Sequence, residues 1–267
     1  MSTPTIQSQA TRDGFSPGRT LRLARWNAVL MLRNRLALTY AVVVPVLPLA
    51  LLLAGERGEV GAGAAAICST LLAAALFPVF YNVLAQFVTR RDELVLKRLR
   101  TGEVRDAELL VALVLPGAVI TLGLAAVAIP LAMLAGQSAP LNPVMFLLGA
   151  AVSVVVFAAF ALWTAGWTKN AEAAQLTSMP VIVLAVAGQL SVGLPDWAQR
   201  WTDLTPGAAM TDLVRTSWFG LPEGSTERSL DLAATWGAAA EPVLVLAAWA
   251  VLAGWLAARS MRWEPRV

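Results

Sequence analysis

The densest run of ion-pairing side chains in this sequence lies between Arg90 and Glu108, where eleven positions are charged. It reads Thr89-Arg90-Arg91-Asp92-Glu93-Leu94-Val95-Leu96-Lys97-Arg98-Leu99-Arg100-Thr101-Gly102-Glu103-Val104-Arg105-Asp106-Ala107-Glu108. Glu93 and Lys97 have the i,i+4 spacing of a helical ion pair, and Val95, Leu96 and Leu99 form a narrow apolar stripe beside them. Gly102 is placed to end that helix. Asp106 is expected to cap the next one, with Glu108 favourable in its first turn. The chemistry this pattern supports is recognition: a short amphipathic helix, mixed in sign, that a partner can grip.

Catalysis has little to work with. The chain contains no His, which removes the commonest general base and the commonest metal ligand. Its single cysteine, Cys68, cannot form an internal disulfide. No phosphate-binding Gly-x-x-x-x-Gly-Lys-Ser/Thr loop is present, and neither Lys97 nor Lys169 follows a glycine loop. No Gly-x-Ser-x-Gly elbow or Ser/Lys pair marks an intramembrane hydrolase. The chain is therefore expected not to be an enzyme and to bind no cofactor itself.

The elements that must carry the charged segment are unusually apolar. Apolar residues make up 58% of the chain and charged residues 14%, against about 25% charged in a soluble domain. The stretches 36–54, 61–89, 109–136, 141–168, 173–194 and 242–258 contain no Asp, Glu, Lys or Arg. About 20 apolar residues cross roughly 30 Å of hydrocarbon as a helix. The last stretch is short and is extended back to 238. The expected fold class is thus an all-α integral membrane protein with six transmembrane helices. Residues 1–18 read as a disordered tail and 19–267 as one transmembrane domain.

Arginine and lysine set the orientation. Sixteen of the twenty lie in 1–35, 90–108, 169–172 and 259–267, and four in the alternate loops. The positive-inside rule puts both termini in the cytoplasm. From Thr20, a plausible N-cap, Arg19, Arg22, Arg25 and Arg33 occupy one helical arc, and Leu21, Ala24, Ala28, Met31 and Leu32 the other. This is a basic amphipathic helix suited to a membrane surface. Beyond span 5, Thr205 and Pro206 read as the cap and first position of a further helix. Met210, Leu213, Val214, Ser217 and Trp218 share one of its faces. An outer interfacial or re-entrant hairpin is expected there, with Trp197, Trp201 and Trp218 at the boundary.

Within the spans, Asn82 and Gln86 lie one turn apart, next to Phe80 and Tyr81. With Gln175 and Gln189 they are candidates for a substrate pathway, although uncharged amides also serve as interhelical glue. Glu241 is the one carboxylate near a span, so a proton relay through buried charge is not expected. An apolar pathway suits a hydrophobic or amphiphilic cargo such as a drug, antibiotic, lipid or peptide. The alternative is a membrane anchor or sensor that docks a cytoplasmic partner through 90–108.

The order of these features resembles the membrane subunit of ABC-2 type transporters, the permease class of bacterial drug and antibiotic exporters. The likeness rests chiefly on 89–116: the run Arg-Arg-Asp-Glu-Leu-x-Leu-Lys-Arg-Leu-Arg-Thr-Gly after span 2, then span 3 with Pro116. Leu204-Thr205-Pro206 and Leu213-x-Arg215 add to it. The chain departs from the class in lacking a Gly-Thr pair at the start of the charged run. The resemblance implies that 93–102 is a coupling helix held in a groove of the ATPase, with Glu93, Leu96, Lys97, Leu99, Arg100 and Gly102 as its contact residues. It implies that 19–34 is a connecting helix. It further implies two copies of a separate ATPase that bring ATP and Mg, and pairing with a second copy of this permease or a paralogue. Spans 2 and 5 would then lie near a shared pathway, with span 5 and its outer hairpin as a gate. The expected setting is the bacterial cytoplasmic membrane, with the lipid bilayer as partner and no nucleic acid.

Overall fold

The structure, a computed structural model, describes residues 14–53, 56–100, 104–190, 195–222, 228–261 and 263. These residues form helices and turns, without a strand among them. In chain order the helices are α1 (Pro17–Arg33), α2 (Arg35–Leu53), α3 (Val60–Asp92), α4 (Val95–Arg100), α5 (Asp106–Leu134) and α6 (Pro143–Trp167). There follow α7 (Ala173–Gln189), α8 (Asp196–Asp203), α9 (Pro206–Val214) and α10 (Leu232–Ser260). Five of them, α2, α3, α5, α6 and α10, are long and apolar enough to cross a membrane. The fifth expected span is shorter. Helix α7 turns at Ser178 between Ala173–Thr177 and Met179–Leu190, and Ala173–Gln189 rises roughly 25 Å, less than a hydrocarbon thickness.

Helix starts follow local capping chemistry. Ser16 accepts a bond from the Arg19 N–H and Pro17 occupies the first position, so α1 begins ahead of Thr20. Thr20 instead lies inside the helix, its hydroxyl donating to the Ser16 carbonyl. A Ser-Pro pair supplies both a cap and a preset φ, and this outcompetes a threonine cap farther along. The expected tail therefore ends before Pro17; residues 1–13 lie outside those described. At α5 the cap is Arg105 and Asp106 is the first helical residue, because Glu108 reaches back to the Arg105 N–H and completes the cap from within. Thr205 and Pro206 open α9 as expected.

Helices α3 and α6 form the centre. Ile67, Phe80, Phe87, Phe157 and Phe160 are fully buried between them and their neighbours. Lipid offers apolar groups as good a solvent as protein does, so close approach of backbones must supply much of the cohesion. Glycines mark those approaches. A Cβ on Gly207 would strike the Ala185 carbonyl, and one on Gly117 the Pro78 carbonyl. Helices α7 and α9, and α3 and α5, are thereby in backbone contact.

The end away from the basic residues is closed by α9 and a π-helical turn, Arg215–Phe219. Met210, Leu213, Val214, Ser217 and Trp218 all face inward and are buried. Trp218 is thus not a boundary residue. Its ring packs edge-on against Phe146 at 5.0 Å, and its indole N–H donates to the Ser138 carbonyl at 3.0 Å. Trp197 and Trp201 on α8 are exposed.

Candidate functional site

Proline chemistry builds the site. Pro116 has no N–H, so the Ala112 carbonyl one turn back in α5 loses its helical donor. The Asn27 amide of α1 donates to that carbonyl at 2.6 Å. The same side chain accepts from Arg90 Nη2 at 2.8 Å, and Nη2 also donates to Gln86 Oε1 at 2.9 Å. Gln86 Nε2 then donates to Asn82 Oδ1 at 2.8 Å. One polar chain thus runs from α5 through α1 into α3. It ends at Asn82 Nδ2, which is buried and has no acceptor among the described residues.

Asn82, Ala85, Gln86, Thr89, Arg90 and Glu93 form one wall of a cleft of about 340 Å³, and Leu30, Met31, Asn34 and Ala37 the other. The cleft lies between α1–α2 and the last turns of α3. Two expected pathway residues, Asn82 and Gln86, share it. Tyr81 is adjacent but stacks with Phe77, which stacks with Tyr40, at centroid distances of 5.6 and 6.3 Å. Phe80 is fully buried and turns into the core, away from the cleft.

The other two candidates lie elsewhere. Tyr81 and Ser178 share a hydrogen bond of 3.3 Å, and Ser69 donates to Gln189 at 3.4 Å. These join α3 to α7 as a seam. Gln189 belongs to its far end, and Gln175 is exposed at the basic end. Fourteen residues of helix separate them by roughly 20 Å. The six residues therefore do not make one pocket: Asn82 and Gln86 line the cleft, Tyr81, Gln175 and Gln189 mark the seam or its surface, and Phe80 belongs to the core.

A second proline acts in the same way. Pro78 frees the Ala74 carbonyl of α3, and the Thr121 hydroxyl of α5 donates to it at 2.6 Å. Around Pro78 the helix widens into a π turn, Leu76–Tyr81. A second π turn, Thr39–Val43, carries Tyr40 opposite it. Such turns are costly and cluster at working sites. Pro45 follows the second of these turns and Pro78 lies within the first, and the Ala74 carbonyl that Pro78 frees is re-satisfied.

Arg91, one residue from Arg90, points about 100° away around the helix and is wholly buried. Its guanidinium donates to the carbonyls of Ala165, Thr168 and Lys169 at 2.8–2.9 Å. These groups terminate α6, where a cation is favoured by the helix dipole and by the unpaired carbonyls. The end of α3 is thereby fixed to the end of α6.

Helix α4 hangs from this joint. Glu93 closes α3 and Leu94 takes a left-handed conformation, φ 60°. The helix expected over 93–102 therefore begins at Val95, and Glu93 does not share it with Lys97. Leu96 faces the core, 1% exposed, while Lys97 and Arg98 are exposed and Leu99 is half-buried. Arg100 ends the helix; Gly102 lies outside the described residues. Of the expected contact set, Leu96 anchors the helix to the body and Lys97 lies on its outer side.

Sequence reasoning did not single out Arg91 or the Arg19–Glu108 pair. Glu108 is buried and takes two bonds from Arg19, at 2.9 and 3.1 Å, and one from the Ser16 N–H at 2.6 Å. This carboxylate seats the start of α1 on the start of α5. The available signal was Pro116, whose freed carbonyl needed a donor from another helix.

No curated protein matches this chain. A family model described as ABC-2 family transporter protein matches residues 47–259, from within α2 almost to the end of α10. The matched residues include α3, α4 and the Arg91 joint, and leave α1 outside. On that match across most of its length, the chain belongs to the ABC-2 family of transporter proteins.

Proposed function

We propose that this chain is the permease subunit of an ATP-driven exporter in a bacterial cytoplasmic membrane. A separate ATPase, in two copies, binds ATP and Mg, and the permease works as a pair with itself or a paralogue. The cargo is a hydrophobic or amphiphilic compound. Family membership supports a membrane transport component that works with an ATPase subunit.

The observation that carries the reading is the mounting of α4. Its apolar side chain Leu96 is buried against the spans, its charged side chains Lys97 and Arg98 are exposed, and Arg91 locks its root to α6. A push on α4 is therefore transmitted to α3 and α6 together. A solvated connector would need neither the buried anchor nor the buried guanidinium, which is costly to desolvate without partners.

The test is purification of the tagged protein in mild detergent, with identification of co-purifying chains. A stoichiometric ATPase that is lost from Lys97→Glu/Arg98→Glu protein, whose thermal midpoint is unchanged, is the expected result. Retention of the ATPase by that variant would sink the role of α4. A different partner, or none, would favour the anchor or sensor reading.

A further inference from the structure

We infer that the cleft between α1–α2 and α3 binds the headgroup of a singly negative amphiphile, a phosphodiester or carboxylate on an apolar tail, and that this is the cargo's chemical class. The second clause rests on the permease reading; the first does not.

The wall of the cleft presents a guanidinium with donor capacity to spare, backed by a buried amide. Asn82 Nδ2 is buried and unpartnered among the described residues. Both hydrogen bonds of Arg90 leave from Nη2, and Nε and Nη1 have no acceptor among the described residues. Asn27 and Gln86 hold that guanidinium in place. A cation held in place by two amides matches an anionic oxygen, with which charge-assisted hydrogen bonds are the strong ones. Burial of a donor without a partner is otherwise unfavourable.

The rest of the lining sets the tail and the charge. Leu30, Met31, Ala37 and Ala85 are apolar, and Leu30 is 58% exposed on the outer side of α1. An apolar chain can continue from the cleft along that helix into the bilayer. A free inorganic anion would leave this wall uncovered. Glu93, exposed at the rim, opposes a second negative charge on the ligand. The volume of about 340 Å³ suits a headgroup and the first part of a chain and not a whole lipid.

The experiment is titration of the purified protein, in mild non-ionic detergent, with short-chain phosphatidylglycerol and separately with inorganic phosphate. Binding is read by native mass spectrometry. Arg90→Gln should weaken phosphatidylglycerol binding about tenfold or more. Ala85→Leu, which fills the cleft at an exposed position without removing a hydrogen bond, should do the same. Arg22→Gln, on the exposed basic arc of α1, should leave it unchanged. Equal losses in Arg22→Gln and Arg90→Gln, no loss in Ala85→Leu, or equal affinity for phosphate alone would overturn the site. ATP-driven movement of a fluorescent phosphatidylglycerol in vesicles with the ATPase separates the two readings. Binding without movement would remove the cargo assignment, with the site intact. Movement undiminished in Ala85→Leu would remove the assignment while supporting the permease.

Discussion

The two ends of the helical bundle are fastened by different chemistry. At the basic end, α1 joins α5 through Arg19–Glu108 and Asn27–Ala112, and α3 joins α6 through Arg91. At the opposite end, Leu141 and Asn142 donate backbone bonds to the Trp218 and Ser217 carbonyls. The Trp249 indole donates to the Leu204 carbonyl at 2.7 Å. Aromatic packing, backbone bonds and neutral amides hold the far end, where Gln137 donates to the Glu59 carbonyl and Asn142 to the Thr235 hydroxyl; guanidinium groups add to the amides at the near one. Side-chain fastenings of this kind are few, directional and exchangeable with a ligand or partner. Packed aromatics resist rearrangement because interiors are close-packed. The contrast sets charged fastenings at the basic end against packed aromatics at the other.

The largest effects should come from removing one fastening at each end. Arg91→Leu leaves the Ala165, Thr168 and Lys169 carbonyls without their donor. Its expected cost is about 3 kcal/mol. Trp218→Ala opens a cavity beside Phe146 and should cost at least about 3 kcal/mol. The two should differ in kind. Arg91→Leu should release α4 and abolish ATPase binding, whereas Trp218→Ala should lower the thermal midpoint in detergent and leave ATPase binding in the surviving folded protein intact. Loss of ATPase binding in both would erase the proposed division between the ends.

Next in size is the seat of α1. Glu108→Ala removes the acceptor of the Ser16 and Arg105 N–H groups. Amide exchange in the first turns of α1 should then accelerate about tenfold, with exchange in α9 unaffected. Acceleration throughout the molecule would mean that α1 is part of the cooperative core and not a strap upon it.

A smaller effect tests the proline argument. Thr121→Val keeps the shape of the side chain but leaves the Ala74 carbonyl, freed by Pro78, without a donor. Interhelical hydrogen bonds in membranes contribute about 0.6–1.7 kcal/mol, so the thermal midpoint should fall modestly. A Thr121→Ser variant should recover it. No difference between the valine and serine variants would mean that the freed carbonyl is satisfied elsewhere.

Much of this architecture is written in local pattern. Five helices long and apolar enough to cross follow from charge-free length, and the start of α9 from Thr205-Pro206. The inward face Met210–Trp218 follows from helical periodicity. The fastenings at the basic end are not local. Arg19 and Glu108 are 89 positions apart, and nothing near either identifies the other. Arg90 and Arg91 are adjacent and chemically identical, yet one lines a cleft and the other is buried among carbonyls, because one residue turns a helix by 100°. Prolines were the legible trace. Pro78 and Pro116 each announce a carbonyl four residues earlier that needs an outside donor, but not which helix supplies it. Trp218 was misjudged for a related reason: tryptophan suits a bilayer boundary, but a buried indole with an acceptor for its N–H is equally sound.

The smallest effect concerns the hinge between α3 and α4, where charge and capping both fail to explain the break. Leu94 stands at φ 60° after Glu93, a conformation that strains an L-residue by about 1–2 kcal/mol. Its N–H bonds to the Arg91 carbonyl, and the Arg98 N–H bonds to its own carbonyl, so the backbone there is committed to the turn. Its side chain is 41% exposed and contributes little packing. Leu94→Asn should therefore raise stability by about 0.5–1 kcal/mol, because asparagine tolerates this region. Leu94→Pro, which has no N–H to donate to Arg91, should lower it. If the strain instead stores a bias that lets α4 swing under an ATPase, the asparagine variant will be more stable and yet transport more slowly. If stability rises and transport does not change, the hinge is a fixed corner and motion must enter the spans through the Arg91 joint itself.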